Sequence, residues 1–204
     1  MRFAKVLSVV LHPIFMPLYT LALAFRLDPY LAFFMPQEAR WITLGMVGLM
    51  TIAFPITSTL LLLRAGMISS LEMPLRRERI GPYVMTLLYY GMTWYLVRQA
   101  PLHPSVNGLF LGVMVALVLT TVITVRWKIS AHMVGIGGLL GALCGLSAIH
   151  GLPLFMVLVA AILITGLLAT ARLLVGGHTP AQVYTGTALG FLSPYACLVL
   201  GLGA

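Results

Sequence analysis

The chain has 204 residues, of which 61% are hydrophobic and only 8% are charged, and this composition excludes a soluble globular protein. Its 4 acidic residues are too few and too scattered for a Mg²⁺ site, which needs clustered carboxylates. The formal net charge of +8 arises mostly from basic residues at the ends of apolar stretches. This pattern favours contact with membrane lipid headgroups and argues against nucleic-acid binding.

Apolar stretches predict an all-α, polytopic bundle of six or seven transmembrane helices. A spanning helix takes about 20 apolar residues, so the chain has room for one integral membrane domain, residues 1–204, and for no second domain. His12-Pro13 and Pro17 interrupt the first stretch and predict a kink or a re-entrant segment there. The predicted spans are 3–25, 41–64, 81–99, 105–126, 131–149, 152–172 and 180–202.

The distribution of basic residues predicts the orientation of the chain. With seven spans, Arg26, Arg40 and Arg98 fall on one side, and the other nine of the 12 Lys and Arg residues fall on the side of the N-terminus. Basic residues are enriched in cytoplasmic connections. We therefore expect the N-terminal side to face the cytoplasm, in a bacterial inner membrane.

Three polar clusters interrupt the apolar pattern, at residues 76–82, 128–132 and 172–182. Two predicted spans separate each cluster from the next, so all three belong to the N-terminal side of the membrane. Cationic groups in a helix bundle need an anion or water to offset the loss of hydration. We therefore expect the three clusters to converge on an anion site.

The second and third clusters have the sequence of helix starts. Ser130 is a predicted N-cap before the fifth span, and Thr179-Pro180 followed by Gln182 predicts a capping box before the seventh. Helix N-termini favour phosphate because they carry free N–H groups and partial positive charge. The predicted phosphate-binding residues are Arg79, Lys128, Ser130 and Arg172, with no metal and no other cofactor.

Glycine spacing gives two of these spans a small-residue face. Gly137, Gly141 and Gly145 share one face of the fifth span, and Gly186 and Gly190 share one face of the seventh. Small residues at this spacing allow membrane helices to approach closely. The two spans are predicted to pack either against each other or against other neighbours.

Histidine offers the acid–base and nucleophilic chemistry of this chain. His178 follows two glycines and is a candidate nucleophile toward phosphorus, while His132 is a candidate general acid. The proline after His12 favours a role at a helix kink, outside the site. His103 and His150 lie in connections on the opposite side and are predicted to be surface groups.

Residues 172–186, RLLVGGHTPAQVYTG, resemble the third signature of the type 2 phosphatidic acid phosphatase superfamily, which has Arg, five residues, His, three residues and Asp. Ser130-Ala131-His132 is similar to its second signature, which ends Ser-Gly-His. The likeness covers residues 125–204 best. It implies that His178 is the nucleophile, His132 the general acid and Arg172 a phosphate ligand.

The chain departs from that pattern at two positions. Gln182 stands where the family has Asp, so its side chain can orient His178 without supplying negative charge. Arg79 is the best match to the Arg of the first signature, but Glu72 stands where that signature has Lys.

These features predict a metal-independent phosphatase that acts on a lipid phosphate or an isoprenyl diphosphate through a phosphohistidine. One alternative is a protein that binds or transports lipid phosphate with little or no turnover, which Gln182 favours. Another is a structural bundle whose basic residues only set the topology.

Overall fold

The computed structural model describes residues 2–71, 73, 75–100 and 102–203, with the backbone alone for Arg2 and Arg76. All regular secondary structure within these residues is helical, which confirms the predicted all-α class. The α-helices of the described residues are α1 Arg2–Val10, α2 Met16–Leu27, α3 Pro29–Phe34, α4 Gln37–Gly48, α5 Phe54–Arg64, α6 Ile80–Gln99, α7 Pro104–Arg126, α8 Ala131–His150, α9 Phe155–Leu174 and α10 Pro180–Val199.

Five segments of the described chain are long and apolar enough to cross a membrane, so the chain is an integral membrane protein by length and composition. The prediction of six or seven spans is therefore not confirmed. Helices α6 and α10 are each 20 residues long, but their Tyr, Thr and Gly residues make them less apolar than the other five segments. The five are Phe3–Leu27, Gln37–Arg64, Pro104–Arg126, Ala131–His150 and Phe155–Leu174.

Proline disturbs the first two of these segments. A 3-10 turn, Pro13–Phe15, separates α1 from α2, and the ring nitrogen Nδ1 of His12 accepts a hydrogen bond from the backbone N–H of Ile14 at 3.3 Å. A π-helical turn, Leu49–Ala53, joins α4 to α5 just before Pro55, which has no N–H for the helical ladder. The kink predicted at His12-Pro13 is thus present.

Helices α8 and α10 lie parallel and in direct backbone contact. A Cβ atom added at Gly141 would overlap the carbonyl oxygen of Phe191, and one added at Gly190 would overlap that of Val134. The two glycine faces therefore pack against each other, which settles the alternative that the sequence left open. Because the helices run in the same direction, their N-termini lie at the same end of the bundle.

We expect Gly141→Ala to force α8 and α10 apart and to lower stability by about 1–3 kcal/mol, the usual cost of overpacking. For a chain of this size, the midpoint of thermal unfolding in detergent should fall by several degrees. Gly166→Ala in α9 is the matched control, since a Cβ atom there meets nothing within 4 Å. Equal effects of the two substitutions would contradict the close packing of α8 and α10.

Candidate phosphate site at one end of the bundle

The first turns of α8 and α10 meet at this end of the bundle. The backbone N–H of Ser130 donates a hydrogen bond of 3.4 Å to the carbonyl oxygen of Gln182. The close approach continues one turn further, where a Cβ atom at Gly186 would lie 2.9 Å from the carbonyl oxygen of Ser130. Two helix N-termini, each with free N–H groups, are therefore held side by side.

Three cations from three parts of the chain surround these helix starts. Arg79 ends a 3-10 turn before α6, Lys128 lies between α7 and α8, and Arg172 is in the last turn of α9. Burial and the charges of Arg79 and Arg172 lower the pKa of Lys128. No carboxylate of the described residues lies within salt-bridge distance of any of the three. Their mutual repulsion therefore leaves a net positive field that an anion would relieve.

Two polar atoms near the helix starts are buried without a hydrogen-bond partner in the described structure, Nε of Arg172 and Oγ of Ser130. Ser130 occupies the predicted N-cap position of α8, but its hydroxyl does not cap the helix, which corrects that part of the prediction. A guanidinium N–H and a hydroxyl are both donors to phosphate oxygens. Unpaired buried donors are costly, which makes these two atoms candidate contacts for an anion.

His178 lies in the connection between α9 and α10, close to Arg172. Gly176, two residues beyond the end of α9, lies in the left-handed region at φ 72°, and a Cβ atom at Gly177 would lie 3.4 Å from Nη2 of Arg172. Gly177 therefore lies at contact distance from the guanidinium, next to His178 in the chain. Burial, with the charges of Arg172, Arg79 and Lys128, outweighs the hydrogen bond to Gln182 and lowers the pKa of His178 to about 4.

The hydrogen bonds of Gln182 fix which nitrogen of His178 carries the proton. Oε1 of Gln182 accepts from the backbone N–H of Thr179 at 3.1 Å, and Thr179 Oγ1 accepts from the N–H of Gln182 at 3.4 Å, which confirms the predicted capping box. The same Oε1 lies 3.2 Å from Nδ1 of His178. Because that oxygen can only accept, Nδ1 bears the hydrogen and Nε2 bears the free electron pair.

His132, in the first turn of α8, is held by α1. Its Nε2 donates a hydrogen bond of 3.1 Å to the carbonyl oxygen of Ser8, and Nη1 of Arg172 donates one of 3.3 Å to the hydroxyl of the same serine. Ser8 thereby connects the two predicted site residues. The sequence gives no local signal for this contact, since Ser8 lies in an ordinary apolar stretch.

His12, which was predicted to lie outside the site, contacts the predicted site residue His132. The ring centroids of His12 and His132 lie 5.1 Å apart in a T-shaped arrangement. The bend at Pro13 turns the exposed His12 side chain toward the start of α8. An ionisable residue inside an apolar stretch is the signal that marks such a position.

His103 and His150 belong to a second polar cluster at the other end of the bundle, and the prediction that they are simple surface groups is wrong. The side chain of His150 is only 12% exposed, and its Nδ1 lies 2.6 Å from a carboxylate oxygen of the buried Asp28. Asp28 is 1% exposed. The buried carboxyl group is therefore hydrogen-bonded to a histidine from a helix that is remote in the sequence.

The fold and this site together define a polytopic helical membrane protein with a cationic, histidine-bearing end. Comparison of the chain with models of protein families, with curated proteins and with solved structures gave no match. The chemistry of the site therefore rests on its own geometry.

Proposed function

We propose that the protein is a metal-independent phosphatase that releases phosphate from a lipid phosphate or an isoprenyl diphosphate through a phosphohistidine. The observation that carries the proposal is the state of His178. Its Nδ1 is held by Gln182, its Nε2 is free, and its lowered pKa keeps the ring uncharged at neutral pH. A neutral, oriented imidazole beside cationic side chains is suited to attack on phosphorus.

The position of the site supports a lipid substrate. Candidate spans α7 and α9 end at Arg126 and Leu174, and candidate span α8 begins at Ala131, so Lys128 and His178 lie where these segments leave the membrane. Phosphate headgroups occupy that depth. Arg172 and Lys128 would bind the phosphate oxygens, and the N–H groups of the first turns would assist them.

In the first step, Nε2 of His178 would form a bond to phosphorus while the bond between phosphorus and the lipid oxygen breaks. The leaving oxygen needs a proton, for which His132 in its doubly protonated form is the candidate donor, becoming a neutral imidazole. The N–H of His132 now binds the Ser8 carbonyl, so the donor must exchange that hydrogen bond for one to the leaving oxygen. Arg172 would stabilise the charge on the equatorial oxygens.

In the second step, water would attack the phosphohistidine, and the bond between phosphorus and Nε2 would break. His132, now lacking its proton, would take one from the attacking water. Inorganic phosphate would leave, and His178 would regain its free electron pair. The two steps consume one water and require no metal.

Gln182 supports the alternative of a lipid phosphate binder or transporter with weak turnover. Its neutral amide orients His178 but adds no negative charge to stabilise the positively charged ring of a phosphohistidine. The same phosphate contacts would then serve binding alone. Measurable hydrolysis that depends on both His132 and His178 separates the two functions.

Our proposal includes α6 and α10 as additional crossings, with the phosphate site on the cytoplasmic face of a bacterial inner membrane. Helix α10 runs beside candidate span α8 from Gly186 to Leu198, so both would lie at the same depth. With seven crossings, the excess of basic residues lies on the side of the site.

The proposal is tested by phosphate release from phosphatidate, lysophosphatidate and isoprenyl diphosphates by the purified protein in detergent with EDTA present. We expect release from at least one of them, and an approximately 10²-fold or larger loss in Arg172→Gln, because a transition-state donor is removed. Arg64→Gln, an exposed arginine at the end of α5, is the control and should retain activity. Absence of release from all three substrates would end the phosphatase proposal.

The side of the membrane is tested with the same substrates in oriented vesicles. Inverted vesicles, which expose the cytoplasmic face, should release phosphate from added lysophosphatidate. Release by right-side-out vesicles alone would place the site on the other face.

A further inference from the structure

The second polar cluster joins three parts of the chain through a chain of hydrogen bonds. Asp28 follows α2, Ser105 is in the first turn of α7, and His150 ends α8. His150 Nδ1 lies 2.6 Å from Oδ2 of Asp28, and its Nε2 lies 3.4 Å from Oγ of Ser105. A hydroxyl, an imidazole and a carboxylate in this order form the arrangement by which proteins activate a serine.

The distances allow an assignment of donors and acceptors in which Ser105 is activated. A carboxylate oxygen of Asp28 accepts from the N–H at Nδ1 of His150, and in the neutral ring this leaves the free electron pair on Nε2. The hydroxyl of Ser105 can then donate to Nε2 of His150. A hydroxyl–imidazole distance of 3.4 Å is long, as is usual in a site without bound substrate.

His103 offers a second base to the same hydroxyl. Its Nδ1 accepts the backbone N–H of Ser105 at 3.3 Å and lies 3.1 Å from Oγ of Ser105. Burial is the largest cause that lowers the pKa of His103, and this favours its neutral ring as an acceptor. The Ser105 proton thus faces two imidazole nitrogens.

We propose that Ser105, His150 and Asp28 form a second reactive site, in which Oγ of Ser105 is a nucleophile toward acyl esters at the membrane surface. The proposal is independent of the phosphatase proposal, because the two clusters lie at opposite ends of α8. The charged group that contacts His150 here is a carboxylate, which repels phosphate and favours a neutral carbonyl. Tyr30 and Phe34 lie against His150 and His103, with ring centroids 5.1 and 5.4 Å away, and add apolar surface.

Attack would form a bond between Oγ of Ser105 and the carbonyl carbon, while the hydroxyl proton moves to Nε2 of His150. The tetrahedral intermediate would then break its bond to the leaving alcohol, which takes that proton. Water would hydrolyse the acyl-serine by the same route, releasing the acid and restoring the Ser105 hydroxyl. The positive end of α7 favours the negative charge that develops on the carbonyl oxygen.

The test is labelling of the intact, detergent-purified protein with a fluorophosphonate probe, with the modified residue located by mass spectrometry. Attack by Ser105 expels fluoride, so the adduct reports the nucleophile directly. We expect stoichiometric labelling of Ser105, no label at this position in Ser105→Ala, and at least tenfold slower labelling in His150→Gln. Ser147→Ala is the matched control, since that hydroxyl donates to the Leu152 carbonyl at 2.8 Å.

Asp28→Asn tests the carboxylate as a positioning residue. Asp28 caps α3 by accepting the N–H groups of Tyr30 and Leu31, and asparagine preserves such a cap while removing the charge. We expect at least tenfold slower labelling with an unchanged gel-filtration profile. If this variant does not fold, a second test replaces it, in which Ser105→Cys is made alone and together with His150→Gln. We expect iodoacetamide to alkylate the introduced thiol at least tenfold faster in Ser105→Cys alone than in the double variant.

Absence of a Ser105 adduct in folded wild-type protein would overturn the proposal. Labelling that is equally fast in His150→Gln would also overturn it, because the imidazole would then contribute nothing to the reactivity of the serine. Hydrolysis of p-nitrophenyl esters that disappears in Ser105→Ala is the expected result with a turnover substrate. Hydrolysis unaffected by that substitution would place any esterase activity elsewhere.

Discussion

Replacing His178 with asparagine is expected to reduce phosphate release by roughly 10⁴-fold or more, because loss of a covalent nucleophile removes the whole two-step route. The measurement is single-turnover release from the best of the three lipid substrates in EDTA. Wild-type protein quenched early in the reaction should carry phosphate on His178 in an acid-labile, alkali-stable linkage. The asparagine variant should carry none.

Lipid binding gives this experiment its control. The variant retains Arg79, Lys128 and Arg172, so its affinity for lysophosphatidate should change by less than about tenfold, whereas Arg172→Gln should weaken binding as well as turnover. If His178→Asn released phosphate within tenfold of the wild-type rate, this would contradict the assignment of His178 as the nucleophile. Wild-type binding without release would support the lipid phosphate binder instead.

Replacing Gln182 with glutamate is expected to raise the pKa of His178 by about 1–3 units, because a carboxylate at this distance stabilises the imidazolium. Glutamate preserves the acceptor oxygen that now binds Nδ1 of His178 and the N–H of Thr179. The change therefore adds charge with little change of shape. NMR titration of ¹³C-labelled histidine measures the pKa directly.

The direction in which pH changes the activity follows from the protonation state of His178 that attacks phosphorus, which is the neutral ring. Wild-type His178, whose pKa is about 4, is neutral and competent from about pH 5 upward. In Gln182→Glu the ring would be protonated up to a higher pH, so activity should fall on acidification through the raised pKa. Above that pKa the rate should exceed that of wild type, because the carboxylate stabilises the positive charge that develops on the ring.

Gln99→Glu is the matched control, since it adds the same charge at the exposed end of α6. It should leave both the His178 titration and the rate unchanged. An unshifted titration in Gln182→Glu would contradict the hydrogen bond that orients His178. If the pKa of His178 shifts but the rate above that pKa does not rise, then the orientation of His178, and not the charge beside it, limits the rate of phosphate release.

Several parts of the structure could be predicted because they depend on neighbouring residues. The capping box at Thr179 and Gln182 joins positions three apart, and the bend at His12-Pro13 arises from the proline itself. The glycine faces of α8 and α10 follow from helical periodicity. The structure has five candidate spans where seven were predicted. Helices such as α6 are long enough to span a membrane, but their Tyr, Thr and Gly residues reduce their apolarity.

The sequence by itself determined the all-helical membrane class, the starts of α8 and α10, and the cationic character of the connections, because composition and local hydrogen bonding decide these. Only the tertiary structure decided that Ser8 binds His132 across 124 positions and that Asp28 binds His150 across 122. In both cases the partner is selected by which helix ends become neighbours on packing. That choice depends on the surfaces of whole helices, and local spacing in the sequence does not contain it.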